Sequence, residues 1–288
     1  MPQKIAIAVI HGMGSQGDEP PRDKTKPTFS KGLYRKLRKS IGAAKFDQRY
    51  VWREVFWSDI LQEPQGRFLR ENKGRISSGW LRDFVLHRLA DAAGYRKTGD
   101  DKDTTYERIH QRVEATLQDL QDEVGENGRL VVIAHSLGGH IMSNYIYDVI
   151  RPDRPTPPAT APQPRGQGTD FLNLKTLAGF VTFGCNIPIF TFAYKREDIK
   201  PIWRPGIGIP TAEAHDTWWW NYYDRNDVLG YPLSRISPGY EALAASGELV
   251  DAEVDVGVFP VSATLFSHNH YWQDRDFYLP VKRLLEAT

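Results

Sequence analysis

Arg129-Leu-Val-Val-Ile-Ala-His-Ser-Leu-Gly-Gly-His140 is the stretch on which the reading of this chain turns. Leu130 to Ile133 is a short apolar run rich in β-branched residues, the composition of a strand buried on both faces. It stops at Ala134-His135-Ser136-Leu137-Gly138-Gly139, and a helix-capable segment follows from Ile141 to Val149. Strand, sharp turn with Ser at its tip, then helix is the layout of a nucleophile elbow. Such a turn strains the Ser backbone, so the residues two before and two after must be small. Ala134 and Gly138 meet that need. Gly is the usual first residue; Ala departs from it by one methyl. The competing reading of Ser136 is a helix N-cap, a role serine also fills well. The strand in front and the doubled glycine behind favour the elbow.

Working outward, Lys4 to Ile10 is a second continuous apolar strand, ending abruptly at His11-Gly12-Met13-Gly14. Phe29 to Ile41 reads as a helix and Tyr50 to Trp57 as a strand. Residues 58 to 103 are less regular, with Leu81, Phe84, Val85 and Leu89 at helical spacing. They read as a partial cap insertion, with sheet-covering helices as the alternative. Thr104 and Glu107 form a capping box before a helix whose apolar stripe is Ile109, Val113, Leu117, Leu120 and Val124. Gly125 or Gly128 ends it. Residues 151 to 168 hold six prolines and read as a Pro-rich mobile surface loop. Leu177 to Phe183 is a strand closed by Gly184, and Trp218 to Tyr223 is a bulky one. Val250 to Phe259 alternates Val with acidic residues, the pattern of a half-exposed edge strand. A final helix runs to about Leu285. Strands alternating with helices call for a mostly parallel central sheet covered by helices on both faces, here in one α/β domain over 1–288.

Composition narrows the function classes. A net charge of +1 gives no electrostatic footprint for nucleic acid. The basic cluster from Lys31 to Lys39 is interleaved with Leu33 and Leu37, the wet side of an amphipathic helix. The single cysteine, Cys185, excludes an intrachain disulfide and fits a reducing compartment. Ile5 to Ile10 is too short for a signal-peptide core, and no segment approaches a membrane span. The expectation is a cytoplasmic protein with no stable membrane insertion.

A serine hydroxyl needs a base to take its proton, a group to orient that base, and donors for the oxyanion that forms. On this architecture the order along the chain is Ser, then an acid, then His. Ser136 is followed by Asp224 and Asp227 in a turn after a strand, and by His268 and His270 near the C-terminus. Loops at the carboxyl ends of parallel strands are where such sites form. The oxyanion donors expected are the N–H of Leu137, after the nucleophile, and that of Met13 in the loop after the first strand. That glycine-rich loop lacks the Gly-x-Gly-x-x-Gly or Lys-Ser/Thr continuation of a phosphate cradle.

His11-Gly12-Met13-Gly14, Ala134 to Gly139, Asp227 and His268 together resemble the α/β-hydrolase superfamily on its lipase/esterase-like side. The resemblance covers most of the chain, with 58 to 103 and 151 to 168 outside any motif. Phe183-Gly-Cys-Asn-Ile-Pro188 is similar to a Phe-Gly-Ser-Pro strand end that borders the site, with Cys185 in place of Ser. The Asp-x-x-Asp-Val turn resembles the acid loop and implies Asp227 as the acid, with Asp224 as alternate. Ser267-His268-x-x-Tyr271-Trp272 resembles the His loop and implies His268 as the base, with His270 as alternate. His11, Gly12, His135 and Cys185 would line the site. The activity implied is a serine hydrolase acting on a small ester or acyl substrate, with no cofactor or metal. A thioesterase, amidase or acyltransferase would use the same groups, and a non-catalytic binding module could share the fold.

Overall fold

The computed structural model describes residues 3–12, 21–61, 95, 104–150, 168–210, 214–257 and 267–288. Among these residues six strands form one sheet: β1 (Ile5–Ile10), β2 (Tyr50–Val55), β3 (Leu130–His135), β4 (Leu177–Phe183), β5 (Trp219–Tyr223) and β6 (Leu249–Glu253). Their order is β2-β1-β3-β4-β5-β6, and every pairing is parallel. Among the described residues the α-helices are α1 (Lys31–Ile41), α2 (Ala43–Arg49), α3 (Thr105–Val124), α4 (Leu137–Ile150), α5 (Ile187–Thr191), α6 (Pro238–Ala245) and α7 (Arg275–Ala287).

The central strands are almost wholly apolar, His135 and Thr182 apart, because both faces are covered. Ala6, Ala8 and Ile10 of β1 and Val132 and Ala134 of β3 pack with Ile109, Val113 and Leu117 of α3 and Ile141 and Tyr145 of α4. Ile5, Ile7 and Val9, with Val131 and Ile133, face the other way into Leu33 and Leu37 of α1 and Phe277, Val281 and Leu285 of α7. This alternation follows from the two-residue period of a strand. Truncating a side chain such as Leu117, which is fully buried, to Ala costs about 2–5 kcal/mol.

Helix α3 starts where the capping box places it: Thr104 Oγ1 accepts from the Glu107 N–H at 3.2 Å, and Gly125 ends it. The expected strand from Tyr50 to Trp57 stops at Val55, and the Trp57 indole N–H turns to the His11 carbonyl at 3.0 Å. Of the strand expected over Val250 to Phe259, β6 holds the part up to Glu253; Val256 gives its N–H to the Asp224 carboxylate, and Val258 and Phe259 lie outside the described residues. Helix α2 was not foreseen; Phe46 is its one buried residue, too little for a periodic signal. The proposed cap falls almost wholly outside the described residues, as do the Leu81–Leu89 helix and all but the last residue of the Pro-rich loop. No helix among the described residues is long and apolar enough to cross a membrane.

Candidate active site

In a parallel sheet all carboxyl ends lie along one edge. Ile10 pairs with Ala134, His135 with Phe183, and Phe183 with Tyr222. The residues that leave β1, β3, β4 and β5 therefore emerge side by side: His11-Gly12, Ser136, Gly184-Cys185, and the turn from Asp224 to Asp227.

Ser136 has φ of 54°, in the left-handed region that costs a non-glycine residue energy. The strain is held in place from both sides. The Ser136 N–H donates to the Phe183 carbonyl at 3.0 Å, and α4 begins with the next residue. A β-carbon on Gly138 would lie 2.6 Å from the His11 carbonyl oxygen, so the second small residue of the elbow is required by the neighbouring strand end. A β-carbon on Gly12 would lie 2.4 Å from Ser136 Cβ and 2.9 Å from its Oγ. The glycine of the His11-Gly12 pair is what lets that loop close over the serine. The Ser136 hydroxyl is buried and without a hydrogen-bond partner among the described residues.

Asp227 and His268 meet as a buried pair. His268 Nδ1 donates to the Asp227 carboxylate at 3.0 and 2.9 Å, leaving Nε2 buried and unpartnered among the described residues. The Asp227 carboxylate also accepts the Leu229 N–H at 2.9 Å and the Tyr271 hydroxyl at 3.1 Å. Burial pushes the carboxyl towards its neutral form. The His268 bond and charge, then the Leu229 and Tyr271 donors, outweigh it and hold its pKa below the ordinary carboxylate range. Space around the pair is used up: a β-carbon on Gly230 would come within 2.5 Å of Asp227 Oδ2, and one on Gly184 within 3.1 Å of the His268 ring.

The alternates lie elsewhere. Asp224 is buried but accepts the Asn226 and Val256 N–H groups at 2.6 and 2.7 Å, which ties the acid turn to the chain leaving β6. His270 is exposed. Met13 lies outside the described residues, and Leu137 is fully buried at the head of α4.

His135 and His11 frame the serine. The His135 Nε2–H donates to the His268 carbonyl at 2.8 Å, and its ring lies 4.6 Å from that of His268. The strand that carries the serine thus also holds the backbone of the His loop. The His11 ring stacks on Trp57 at 4.8 Å, and its Nδ1–H donates to the Gly12 carbonyl at 2.7 Å. Burial, opposed by the Gly12 carbonyl, lowers its pKa to about 4, so it is neutral near pH 7. Cys185 lies against Gly139, whose β-carbon would sit 2.8 Å from its sulfur. Burial pushes that thiol up to about 12, so it stays protonated.

Behind the site, Thr182 donates to Asn221 at 2.8 Å, and Asn221 donates to the Tyr231 carbonyl and to Asp251. Asp251 also takes the Leu233 and Ser234 N–H groups. This network pins the loop that returns from the acid turn. The sequence reads Trp218 to Tyr223 as a bulky strand and gives Asn221 no role; its lone amide within an aromatic run is the available signal. It also gives no role to Tyr271.

No family model and no curated protein matches this chain. Among solved structures, a Xanthomonas campestris protein described as a hydrolase of the alpha/beta superfamily aligns over 97% of this chain and 99% of its own, at 10% identity and TM-score 0.36. An acetyl xylan esterase aligns over 97% and 98%, at 8% identity and TM-score 0.37. Likeness at that level carries no weight for the chemistry, which has to come from the side chains themselves.

Proposed function

We propose that the protein is a serine hydrolase that cleaves carboxylic esters through Ser136, His268 and Asp227. The observation that carries this reading is that one sheet edge holds two buried atoms with no hydrogen-bond partner among the described residues: the hydroxyl of a strained serine and Nε2 of a histidine held by a carboxylate. Unsatisfied buried polar atoms are costly and are kept where a reaction uses them.

Ser136 Oγ attacks the ester carbonyl while His268 Nε2 takes its proton. The C–O bond to the leaving group breaks as His268 returns that proton to the departing alkoxide oxygen. The resulting acyl-serine is attacked by water, again with His268 as base, which releases the acid and restores the hydroxyl. Asp227 holds the imidazole with Nδ1 protonated, so that Nε2 is left to take the serine proton. Leu137 opens a helix, where the first N–H groups have no intrahelical acceptor, and it donates to the oxyanion. Met13 is the second donor in this reading.

Val228 and Tyr231 expose apolar surface in the turn that carries Asp227, which supports acyl groups as the substrate class. Turnover of p-nitrophenyl esters from acetate to decanoate tests the reading. Wild type is expected to hydrolyse at least one of them and Ser136→Ala none above background. Equal rates for the two proteins would overturn it.

A further inference from the structure

The 3-10 turn Ser267–Gln273 carries two side chains to the same carboxylate. In a 3-10 turn residues three apart lie one above the other, so His268 and Tyr271 share a face. His268 Nδ1 reaches Asp227 at 2.9 Å, and the Tyr271 hydroxyl reaches Asp227 Oδ2 at 3.1 Å. Tyr271 is fully buried, its ring against Phe183 and Phe277. A phenol has one proton and can also accept. The Asp224 N–H, which can only donate, points at this oxygen from 2.8 Å. The phenol therefore accepts there, and its own proton goes to Asp227.

The direction of that proton has a consequence for the acid. Asp227 Oδ1 is held by the Leu229 N–H and Oδ2 by Tyr271. With one anchor on each oxygen, the carboxylate plane cannot turn about its own bond. The anchor is itself anchored, because the Asp224 carboxylate grips the Val256 and Asn226 N–H groups and so fixes where the Asp224 N–H points.

We propose that Tyr271 is a positioning residue for the proposed reaction: its hydroxyl locks the plane of Asp227 and draws off part of that carboxylate's negative charge, which sets both the orientation of His268 and the strength of its Nδ1–H bond to Asp227. The inference rests on the serine-hydrolase reading for its effect on rate, but not for its effect on the imidazole. The other titratable groups that the described residues set against this pair are His135, beside the His268 ring, and Asp224, across the Tyr271 hydroxyl.

Tyr271→Phe keeps the ring and removes the bond. Without it Asp227 is a stronger acceptor for the His268 Nδ1–H, so the low-field Nδ1–H resonance in the proton NMR spectrum should move further downfield. The kcat for an ester should fall about tenfold with little change in KM. In an Asp227→Asn background the same substitution should cost less than about twofold, because the effect runs through Asp227. 3-Fluorotyrosine placed at position 271 alone, a stronger donor of nearly the same shape, should move that resonance upfield. That measurement decides the matter if Tyr271→Phe does not fold. An unmoved Nδ1–H resonance, or an undiminished loss in the Asp227→Asn background, would overturn the proposal. If the wild type turns over no ester, the hydrolase reading falls, and the Nδ1–H resonance still decides for or against the lock.

Discussion

The turn after β3 and the turn after β5 both deliver a side chain to the same edge of the sheet, by opposite means. At Ser136 the work is local: small neighbours at 134 and 138, a strained φ of 54°, and a helix that starts at once. At Asp227 the local chain decides little. Asp224 sits three residues earlier, is just as buried, and has a hydrogen bond on each carboxylate oxygen too. The two differ in what reaches them across the fold: His268 and Tyr271 come to one, Val256 to the other. The candidate nucleophile is written into a dozen consecutive residues, whereas the candidate acid is set apart only by partners far along the chain.

The largest effect expected from this contrast is at the elbow. Ser136→Ala should lower ester turnover by at least about 10³-fold with the fold intact by circular dichroism. Next comes the pair of aspartates. Asp227→Asn should lower kcat by about 10²–10⁴-fold with a modest change in melting temperature. Asp224→Asn should instead lose about 1–3 kcal/mol of stability in urea unfolding, since it places an amide against N–H groups that need an acceptor. Reversal of those two outcomes would exchange the roles of the aspartates.

This difference also explains what the sequence made legible. The parallel sheet, the elbow and the α3 cap are spelled by short-range patterns: apolar runs, small residues at fixed offsets, and a Thr-x-x-Glu box. The bounds of β4 follow from its closing glycine. The ends of β2 and β6 were misjudged because tertiary bonds, from Trp57 to His11 and from Val256 to Asp224, draw the chain out of the ladder. Choosing between Asp224 and Asp227 from the sequence required family resemblance, since both lie in one polar turn. Tyr271 could not have been read from its neighbours, because its hydroxyl gains its role from two residues more than forty positions away.

Smaller effects sharpen the contrast. Gly12→Ala drives a methyl into Ser136, and Gly230→Ala drives one into Asp227. Each should cost about 1–3 kcal/mol and reduce kcat, because the backbone on one side or the serine or aspartate on the other must move. Acid sensitivity is the last. His11 and His140 both have pKa values lowered by burial to about 4. The unfolded chain takes up these protons near pH 6.5, before the folded one does. Their contribution is therefore complete above that pH and is lost as the pH falls towards 4, by on the order of 2–3 kcal/mol for the fully buried His11. Urea midpoints should drop between pH 7 and pH 5. His140→Phe, which keeps the stacking on Phe190, should flatten that drop.

The account is tested most directly by a fluorophosphonate probe, with the modified residue located by peptide mass spectrometry. One adduct on Ser136, lost in Ser136→Ala and slowed in both His268→Ala and Asp227→Asn, is the result predicted. An unmodified wild type, or an adduct on another residue that survives Ser136→Ala, would contradict it.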